Sequence, residues 1–475
     1  MTRTHLTARR LLTRGNTRFM DRRLFLKRTA SAMGLLWLTR IATMVEARDR
    51  ASESTPGDLD FLRDIAGEVI RSSQVPAGGR IPNGPGNTTG HSLRLPGGTQ
   101  NYYPAFWIRD AAMMLGGDFI SADEIEGWVK VIAATQPGRE GLRFGELQVP
   151  PFSIPDHITL AGEACWYPGA YTEQGQGAFG FLPPADDAFY LIQMVWEQWR
   201  LTRRTSFFKS PIKTAWGEHR LSEVCVNAFD SVMADPRTGL VVCESTEGRT
   251  RVDWGFCDTI RKTGFCLMPS LLRWRAACDL AALFAAHRRQ NEAKRFRAEA
   301  RKIRASVLKE FYHPLPASSG RKTALMLSAT GLGRKEDVWA SAYAVWLRIL
   351  PRDVELAVAR RLLFLYETGG TVVEGQVRHL PPEGEFGGFW EQAACEPGTY
   401  QNGGFWATPT GWLAASLRKV SRAAAASVLA DYALHLRRYR TEGAPWEWIQ
   451  PARNLRVNPQ YAASAGLVYL AVSRG

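Results

Sequence analysis

The stretch from residue 268 to residue 311 reads MPSLLRWRAACDLAALFAAHRRQNEAKRFRAEARKIRASVLKEF. Its first half is apolar at helical spacing with few charges, which is typical of a helix that is buried on most sides. Its second half places apolar residues three and four apart among many basic ones, which predicts an amphipathic helix. The polar turn Arg289-Gln290-Asn291 separates the halves. The stretch therefore predicts a helical hairpin.

The same rhythm of loop, helix, short turn and helix recurs through most of the chain. Helical spacing predicts helices over 58–74, 109–135, 184–203, 217–233, 268–288, 291–311, 336–349, 353–367, 404–418, 421–438 and 458–472. Strand-like alternation is scarce, and the best short runs are 239–244 and 251–256.

These helices predict one closed array, because no linker rich in Pro, Ser or Gly divides the chain. The expected fold class is all-α, an (α/α)6 toroid of six hairpins with long loops and a few short strands on one face. The loops that precede the inner helices then converge on that face, where function is expected. An open helical solenoid that serves as a binding scaffold is the alternative. Long, unlike, acid-bearing loops favour an enzyme over such a solenoid.

Residues 1–47 have the order of an export signal. Arg22-Arg23 precede Phe25-Leu26-Lys27, a short apolar stretch follows, and small residues end at Ala47. The paired arginines resemble a twin-arginine signal. We therefore expect the twin-arginine machinery of a bacterium to export the protein to the periplasm or the medium. A flexible linker at 48–57 and a single catalytic domain at 58–475 would follow, whereas a basic disordered tail or a retained anchor is the alternative.

Charge and composition exclude several function classes. The net charge is +14, of which +8 lies before residue 48, and the rest of the chain has no basic block of the kind that binds nucleic acid. Membrane attraction of the mature protein has no support either. The seven Cys and eight His residues have no metal-type spacing, so we expect no metal. Sixteen Trp residues suit sugar stacking as well as core packing. The sequence does not define the oligomeric state.

The first candidate loop runs through Trp107, Arg109 and Asp110 into a helix. An adjacent Arg and Asp supply the donors and acceptors that neighbouring sugar hydroxyls need. An Asp at this place is also a plain helix cap, but Trp107 favours a binding role.

A second candidate loop brings together Glu244, Asp253, Trp254 and Asp258. Aromatic packing raises the pKa of a carboxyl by desolvation, which keeps it protonated for a leaving group. We expect Asp253, beside Trp254, to be this acid, with Glu244 and Asp258 as alternatives. An Asp that bonds its own turn is the alternative without function.

Two later loops are rich in Trp, amides and acids. Glu391, Gln401, Asn402 and Trp406 are candidate substrate-binding residues, since amides both donate to and accept from hydroxyls. Downstream, Glu447 stands between Trp446 and Trp448 in a Pro-bounded segment before the last predicted helix. Its aromatic flanks are unusual for a solvent-facing acid and suit a positioned base, with Trp446 as a further binding residue.

Together these loops resemble those of the six-hairpin glycosidases. The segment Trp107 to Asp110 resembles the Trp-x-Arg-Asp motif of glucoamylase-like enzymes, where Arg and Asp hold the sugar that is cleaved. The segment from Cys243 to Asp258 stands where glycoside hydrolase family 63 carries its general acid. Trp446-Glu447 and the following helix resemble the segment that holds the general base.

The resemblance implies single-step inverting hydrolysis of an oligo- or polysaccharide without a cofactor. Asp253 would protonate the leaving oxygen, Glu447 would activate water, and Arg109, Asp110, Trp254 and Asp258 would contribute to the site. A polysaccharide lyase and a phosphorylase on the same toroid are rivals, as is a non-catalytic carbohydrate-binding scaffold. A phosphorylase would need a cationic pocket near the acid.

Overall fold

The computed structural model describes residues 56–97, 103–117, 119–144, 147–166, 184–243, 255–314, 324–382 and 388–474. The predicted export signal, the linker up to residue 55, Glu244, Asp253 and Trp254 lie outside the described residues. The chain from Glu53 to Gly475 clusters as one compact unit. None of the helices in the described part is long and apolar enough to cross a bilayer.

The described residues contain twelve helices of six or more residues. They are α1 Pro56–Ser72, α2 Ile108–Met113, α3 Ala122–Thr135, α4 Asp187–Thr202, α5 Leu221–Ser231, α6 Leu267–Ala286, α7 Gln290–Phe311, α8 Val338–Trp346, α9 Arg352–Thr368, α10 Thr410–Leu417, α11 Arg422–Tyr439 and α12 Ala462–Arg474. A single turn, Ser206–Lys209, and two 3-10 segments, Arg440–Glu442 and Pro451–Arg453, are shorter.

The even-numbered helices form a closed inner ring. Helix α2 contacts α4, α4 contacts α6, and the contacts continue through α8, α10 and α12 back to α2. The odd-numbered helices lie outside, each against one or two inner helices. This arrangement is the predicted (α/α)6 toroid.

Apolar patterning explains which helices lie inside. Every residue of α2 and α10 is buried, as expected for helices enclosed on all sides. Outer helix α7 instead buries a single stripe: Ala293, Phe296, Ala300, Ile303, Val307 and Phe311. The basic residues between them face away from the core. The hairpin that the sequence predicts at 268–311 is therefore confirmed.

Short antiparallel strands join the helices. They are β1 Gln74–Val75, β2 Leu93–Arg94, β3 Ala105–Trp107, β4 Leu142–Phe144, β5 Leu147–Val149, β6 His157–Thr159, β7 Ala164–Cys165, β8 Pro211–Thr214, β9 Gly217–Arg220, β10 Val242–Cys243, β11 Gly264–Phe265, β12 Val372–Val373, β13 Gln376–Arg378, β14 Phe405–Trp406, β15 Trp446–Gln450 and β16 Leu455–Pro459. Strands β12 to β16 form one sheet in chain order, and β3, β6 and β7 form another.

Four predicted helices are wrong in their extent. The predicted helix at 109–135 is two helices, because Gly117 has a positive φ of 61° and a Cβ at Gly116 would lie 2.6 Å from Leu470. Residues Gly217–Arg220 form β9, so α5 begins only at Leu221. Strand β14 precedes α10, and β16 extends to Pro459 before α12 begins. In each of these three cases tertiary pairing overrides helical spacing.

Candidate active site

A pocket with about 530 Å³ of empty space, which includes space open to solvent, lies at the ends of the inner helices where their chains enter the ring. Its lining comes from α2 and the loop before it, the loops before α6, α10 and α12, and α8. The lining residues are Pro96, Tyr103, Trp107, Arg109, Asp110, Met113, Phe256, Asp258, Trp339, Tyr400, Gln401, Trp406, Thr408, Glu447 and Tyr461. Loops distant in sequence therefore converge as expected for a toroid.

Glu447 is the most heavily hydrogen-bonded carboxyl in the pocket lining that the structure describes. It lies on β15 with 1% of its surface exposed. The Tyr103 hydroxyl lies 2.9 Å from each of its oxygens, and the Tyr400 hydroxyl donates to Oε1 over 3.3 Å. The Asn458 amide also donates to it, and β15–β16 pairing places Asn458 opposite Glu447. Burial raises the pKa of Glu447 to about 8, while the hydrogen bonds from Asn458 and Tyr103 act against that rise.

Asp258 is the described carboxyl of the loop before α6. Its Oδ1 has no hydrogen-bond partner among the described residues. Burial raises the pKa of Asp258 to about 7, Arg109 opposes the rise, and Asp156 adds to it. Gln401 fixes this loop, since its Oε1 accepts from the Thr259 amide at 3.0 Å and from the Thr259 hydroxyl at 2.7 Å.

Asp110 lies in the first turn of α2 and has a partner on another hairpin. The Tyr461 hydroxyl, just before α12, donates to its Oδ1. Burial raises the pKa of Asp110 to about 6, and the hydrogen bond from Tyr461 opposes this. Because Oδ1 is taken by a side chain from the last hairpin, Asp110 is more than a local helix cap.

Arg109 belongs to a network of buried acids. Its Nε donates to Asp186 Oδ2 over 3.0 Å, and its Nη2 donates to Asp186 Oδ1 over 3.4 Å. Asp156 Oδ1 lies 3.8 Å from Nη2, and Asp258 Oδ2 lies 4.0 Å from Nη1. The guanidinium that the sequence places in the site is thus fixed mainly by Asp186, which the motifs do not reveal.

Aromatic side chains shape the pocket walls. Trp107 stacks on His157 with ring centres 4.3 Å apart, and Tyr103 meets Trp107 edge-on at 5.0 Å. His157 also pairs with Asp156 at 2.7 Å. Desolvation lowers the pKa of His157, but the hydrogen bond and the charge of Asp156 act in the opposite direction, and the pKa is raised to about 9. Trp107 is therefore backed by an imidazolium that holds its ring in place.

On another wall Trp339 and Trp406 meet at 5.8 Å, and the Trp406 indole donates to the Tyr400 carbonyl over 3.1 Å. These contacts link α8 to the loop before α10, and they hold both indole rings in the pocket lining.

The predicted residues separate into two groups. The pocket lining includes Trp107, Arg109, Asp110, Asp258, Gln401, Trp406 and Glu447. Glu391, Asn402 and Trp446 lie outside it.

Local contacts explain these three positions. The Glu391 side chain is 55% exposed and pairs with Lys335 at 3.2 Å. Asn402 is used within its own loop, where its amide oxygen accepts from the Trp390 backbone over 2.8 Å. Trp446 precedes Glu447 on β15, so pleating points the two side chains to opposite faces.

Sequence comparison adds little, since no protein-family model and no curated protein matches this chain. Structure comparison is informative. The GH63 mannosylglycerate hydrolase from Thermus thermophilus, solved with glucose, superposes with a TM-score of 0.53 at 15% identity over 86% of this chain and 99% of that one. This chain has the six-hairpin glycosidase fold. Glucoamylase from Saccharomycopsis fibuligera shares it with a TM-score of 0.50 at 11% identity, over 88% of this chain and 94% of that one.

The six-hairpin fold explains why the site residues are so far apart in sequence. Tyr103 and Glu447 belong to the first and last hairpins, which meet because the inner ring closes. An open solenoid would keep these two hairpins at opposite ends.

Proposed function

We propose that this protein is a glycoside hydrolase that acts on an oligo- or polysaccharide. The observation that carries the proposal is one aromatic-walled pocket in which two of the three lining carboxyls, Asp258 and Glu447, lie in different environments. Paired carboxyls with unlike surroundings are the usual acid and base of glycosidic cleavage. The glycosidase fold of the structural neighbours supports the same reaction class.

The base is Glu447. A carboxylate only accepts hydrogen bonds, and Tyr103, Tyr400 and Asn458 all donate to this one. A protonated Glu447 would leave fewer acceptor sites for these three donors, so their hydrogen bonds favour the ionised form against the burial that raises its pKa to about 8. In that form it can take a proton from an attacking water.

The acid is Asp258. None of the described residues donates a hydrogen bond to its Oδ1. Burial raises the pKa of Asp258 to about 7, so the carboxyl can hold a proton at neutral pH. This assignment uses one of the alternatives that the loop sequence left open. Asp253, the first expectation, lies outside the described residues, and Asp258 is preferred because it lines the pocket with Glu447.

Single-step inversion follows from these roles. Asp258 protonates the leaving oxygen while Glu447 deprotonates a water that attacks the opposite face of the sugar ring. Inverting enzymes keep the two carboxyls roughly 6.5–9.5 Å apart so that this water fits between them. Asp110 and the indoles of Trp107 and Trp406 would hold the sugar.

The charge of the lining favours hydrolysis over the two rival reactions. Among the lining residues that the structure describes, Arg109 is the single cation, and Asp186 occupies two of its donor groups. A phosphorylase needs cationic side chains that bind phosphate near the general acid. A polysaccharide lyase needs cationic side chains that bind the carboxylate of a uronate. Asp110, Asp258 and Glu447 instead make this lining acidic.

The test is hydrolysis of a panel of oligosaccharides and polysaccharides by the purified protein, with and without phosphate. Release of reducing sugar that does not depend on phosphate, with inversion of the anomeric centre seen by proton NMR, is the expected result. Asp258→Asn should lose activity on these substrates. Full activity of that variant would move the acid to Asp253 or Glu244, and a retained anomeric configuration would exclude inversion.

We also propose twin-arginine export to the periplasm or the medium, on the sequence of residues 1–47 alone. Replacing Arg22 and Arg23 by Lys together should retain the precursor in the cytoplasm of a bacterial host. Unchanged fractionation of the double variant would contradict this route.

A further inference from the structure

Asp186 is buried to 0% exposure and directly precedes helix α4. An Asp at this place normally caps the helix by accepting from its first backbone amides. The Asp186 side chain makes no such bond, and its two oxygens instead accept from Nε and Nη2 of Arg109. The Asp186 carboxylate therefore binds Arg109 and does not cap helix α4.

The bidentate pair also sets where the rest of the guanidinium lies. With Nε and Nη2 turned to Asp186, Nη1 remains as the group nearest Asp258, at 4.0 Å from Oδ2. That distance is too long for a hydrogen bond. Asp186 thus holds the Arg109 guanidinium close to Asp258, at a distance from which Nη1 does not donate a hydrogen bond to Asp258 Oδ2.

The loop that carries Asp258 packs on the same carboxylate. A Cβ added at Gly255 would lie 2.9 Å from Asp186 Cγ and Oδ1. Gly255 comes three residues before Asp258, and its lack of a side chain lets the loop approach Asp186 closely. Asp186 therefore touches the acid loop and also fixes the cation that faces it.

We infer that Asp186 is a positioning residue, which holds Arg109 back from Asp258 and so keeps the proton on the general acid. This inference rests on the proposed function, in which Asp258 is the acid. Without the charge of Asp186, the guanidinium is free to turn Nη1 and Nη2 toward Asp258 and to stabilise its ionised form.

Other charged and titratable groups also act on Asp258. Arg109 and Asp110 face it from α2, Asp156 faces it from the segment before β6, and Gln401 faces it from the loop before α10. Burial and the two acids raise the pKa of Asp258, while Arg109 and Gln401 lower it. Arg109 is the cation of this set and the strongest influence that opposes burial, so a closer Arg109 would lower the pKa of Asp258.

Asp187 offers a matched control. It is the next residue and is equally buried, but neither of its oxygens has a hydrogen-bond partner in the described part of the chain. Burial and the neighbouring Asp186 raise the pKa of Asp187 well above its usual range. Asp187→Asn therefore replaces a buried carboxyl that makes no hydrogen bond to Arg109, and it leaves the hydrogen bonds between Asp186 and Arg109 in place.

The first measurement needs no substrate. The infrared band of the Asp258 carboxylic acid, identified by difference from Asp258→Asn, is followed against pH in the unliganded protein. Asp186→Asn should lower the midpoint by about one pH unit or more, the size of an arginine's effect on a neighbouring Asp. Asp187→Asn should leave it unchanged. An unchanged or raised midpoint in Asp186→Asn would overturn the inference.

The second measurement uses the sugar that the wild type cleaves. Asp186→Asn should lose activity at neutral pH on a glycoside with a poor leaving group and move its pH optimum lower. It should keep most activity on the corresponding glycosyl fluoride, which needs no acid. Equal losses on both substrates would indicate a merely structural role and contradict the inference.

Gly255→Ala is a second variant in case Asp186→Asn fails to fold. Its methyl group pushes on the Asp186 carboxylate and should shift the infrared midpoint in the same direction. A wild type that cleaves no glycoside would defeat the proposed function, yet the infrared titration would still decide the role of Asp186.

Discussion

The Tyr103 hydroxyl lies 2.9 Å from both carboxylate oxygens of Glu447, although 344 positions separate the two residues in sequence. The same hydroxyl accepts from the Asn458 amide over 3.1 Å. Tyr103 therefore joins the first hairpin of the toroid to the strand that carries the proposed base, and its single proton is directed at Glu447.

Tyr103→Phe should make Glu447 less effective as the proposed base without changing the aromatic wall of the pocket. The ring can keep its edge-on contact with Trp107, but the hydrogen bond that lowers the pKa of Glu447 is lost. A bond to a charged group is worth about 1.5–3 kcal/mol, or roughly one to two pKa units. Glu447 then takes up its proton at higher pH. We expect kcat/KM to fall about tenfold and its optimum to move to higher pH.

The matched control is Tyr469→Phe, in which the hydroxyl of an α12 residue that packs on Phe119 is removed. Its pH profile should superpose on that of the wild type. A Tyr103→Phe profile that also superposes would show that this hydrogen bond does not act on the base.

Glu447→Gln should abolish catalysis while preserving the fold and substrate affinity. The amide has the shape of the carboxylate but cannot take a proton from water, and a positioned general base contributes about 10²–10⁴-fold. The measurement is kcat and KM on the best substrate, with kcat reduced by that factor and KM little changed. Glu442→Gln, at a side chain that is 56% exposed, should match the wild type. Comparable kcat values for the two variants would remove Glu447 from the mechanism.

Helical spacing was enough to predict the toroid, because an apolar stripe such as Phe296 and Ile303 on α7 needs an inner neighbour to cover it. The loop sequences also predict Glu447 and Arg109 as site residues, and both line the pocket. It did not give their partners. Asp186 lies 77 positions from Arg109, and no local rule relates the two.

The β15–β16 pairing was missed for another reason. On β15, apolar and polar residues alternate only over Trp446 to Trp448 before Ile449 breaks the pattern, and so short a run does not predict a strand. Without that strand, Asn458 could not be placed opposite Glu447, and Trp446 could not be assigned to the other face.

Phe296→Ala tests the packing between the inner and outer rings. Phe296 is fully buried, stacks on Phe284 at 5.7 Å and meets Phe229 edge-on at 5.3 Å. Truncation leaves a cavity between α5, α6 and α7, which costs about 3–5 kcal/mol of unfolding free energy. Urea unfolding measures this loss. Phe364→Ala, at a ring that is 53% exposed, should change the same free energy by less than about 0.5 kcal/mol.

The pH dependence expected of the wild type follows from the two proposed catalytic carboxyls. The proposed mechanism needs Asp258 protonated and Glu447 ionised, so activity should be lost at low pH when Glu447 gains a proton and at high pH when Asp258 loses one. Burial raises their pKa values to about 7 and about 8, whereas ordinary Asp and Glu titrate near about 4.

A profile of kcat/KM against pH should therefore be bell-shaped, with its maximum between about pH 7 and pH 8 and the midpoints of both limbs above pH 6. The profile is measured at constant ionic strength, because salt weakens the attraction of Arg109 for Asp258. An optimum near pH 4 to 5 would mean that water reaches both carboxyls in the working enzyme. The pocket that Tyr103, Tyr400 and Tyr461 line would then have to admit more water during catalysis.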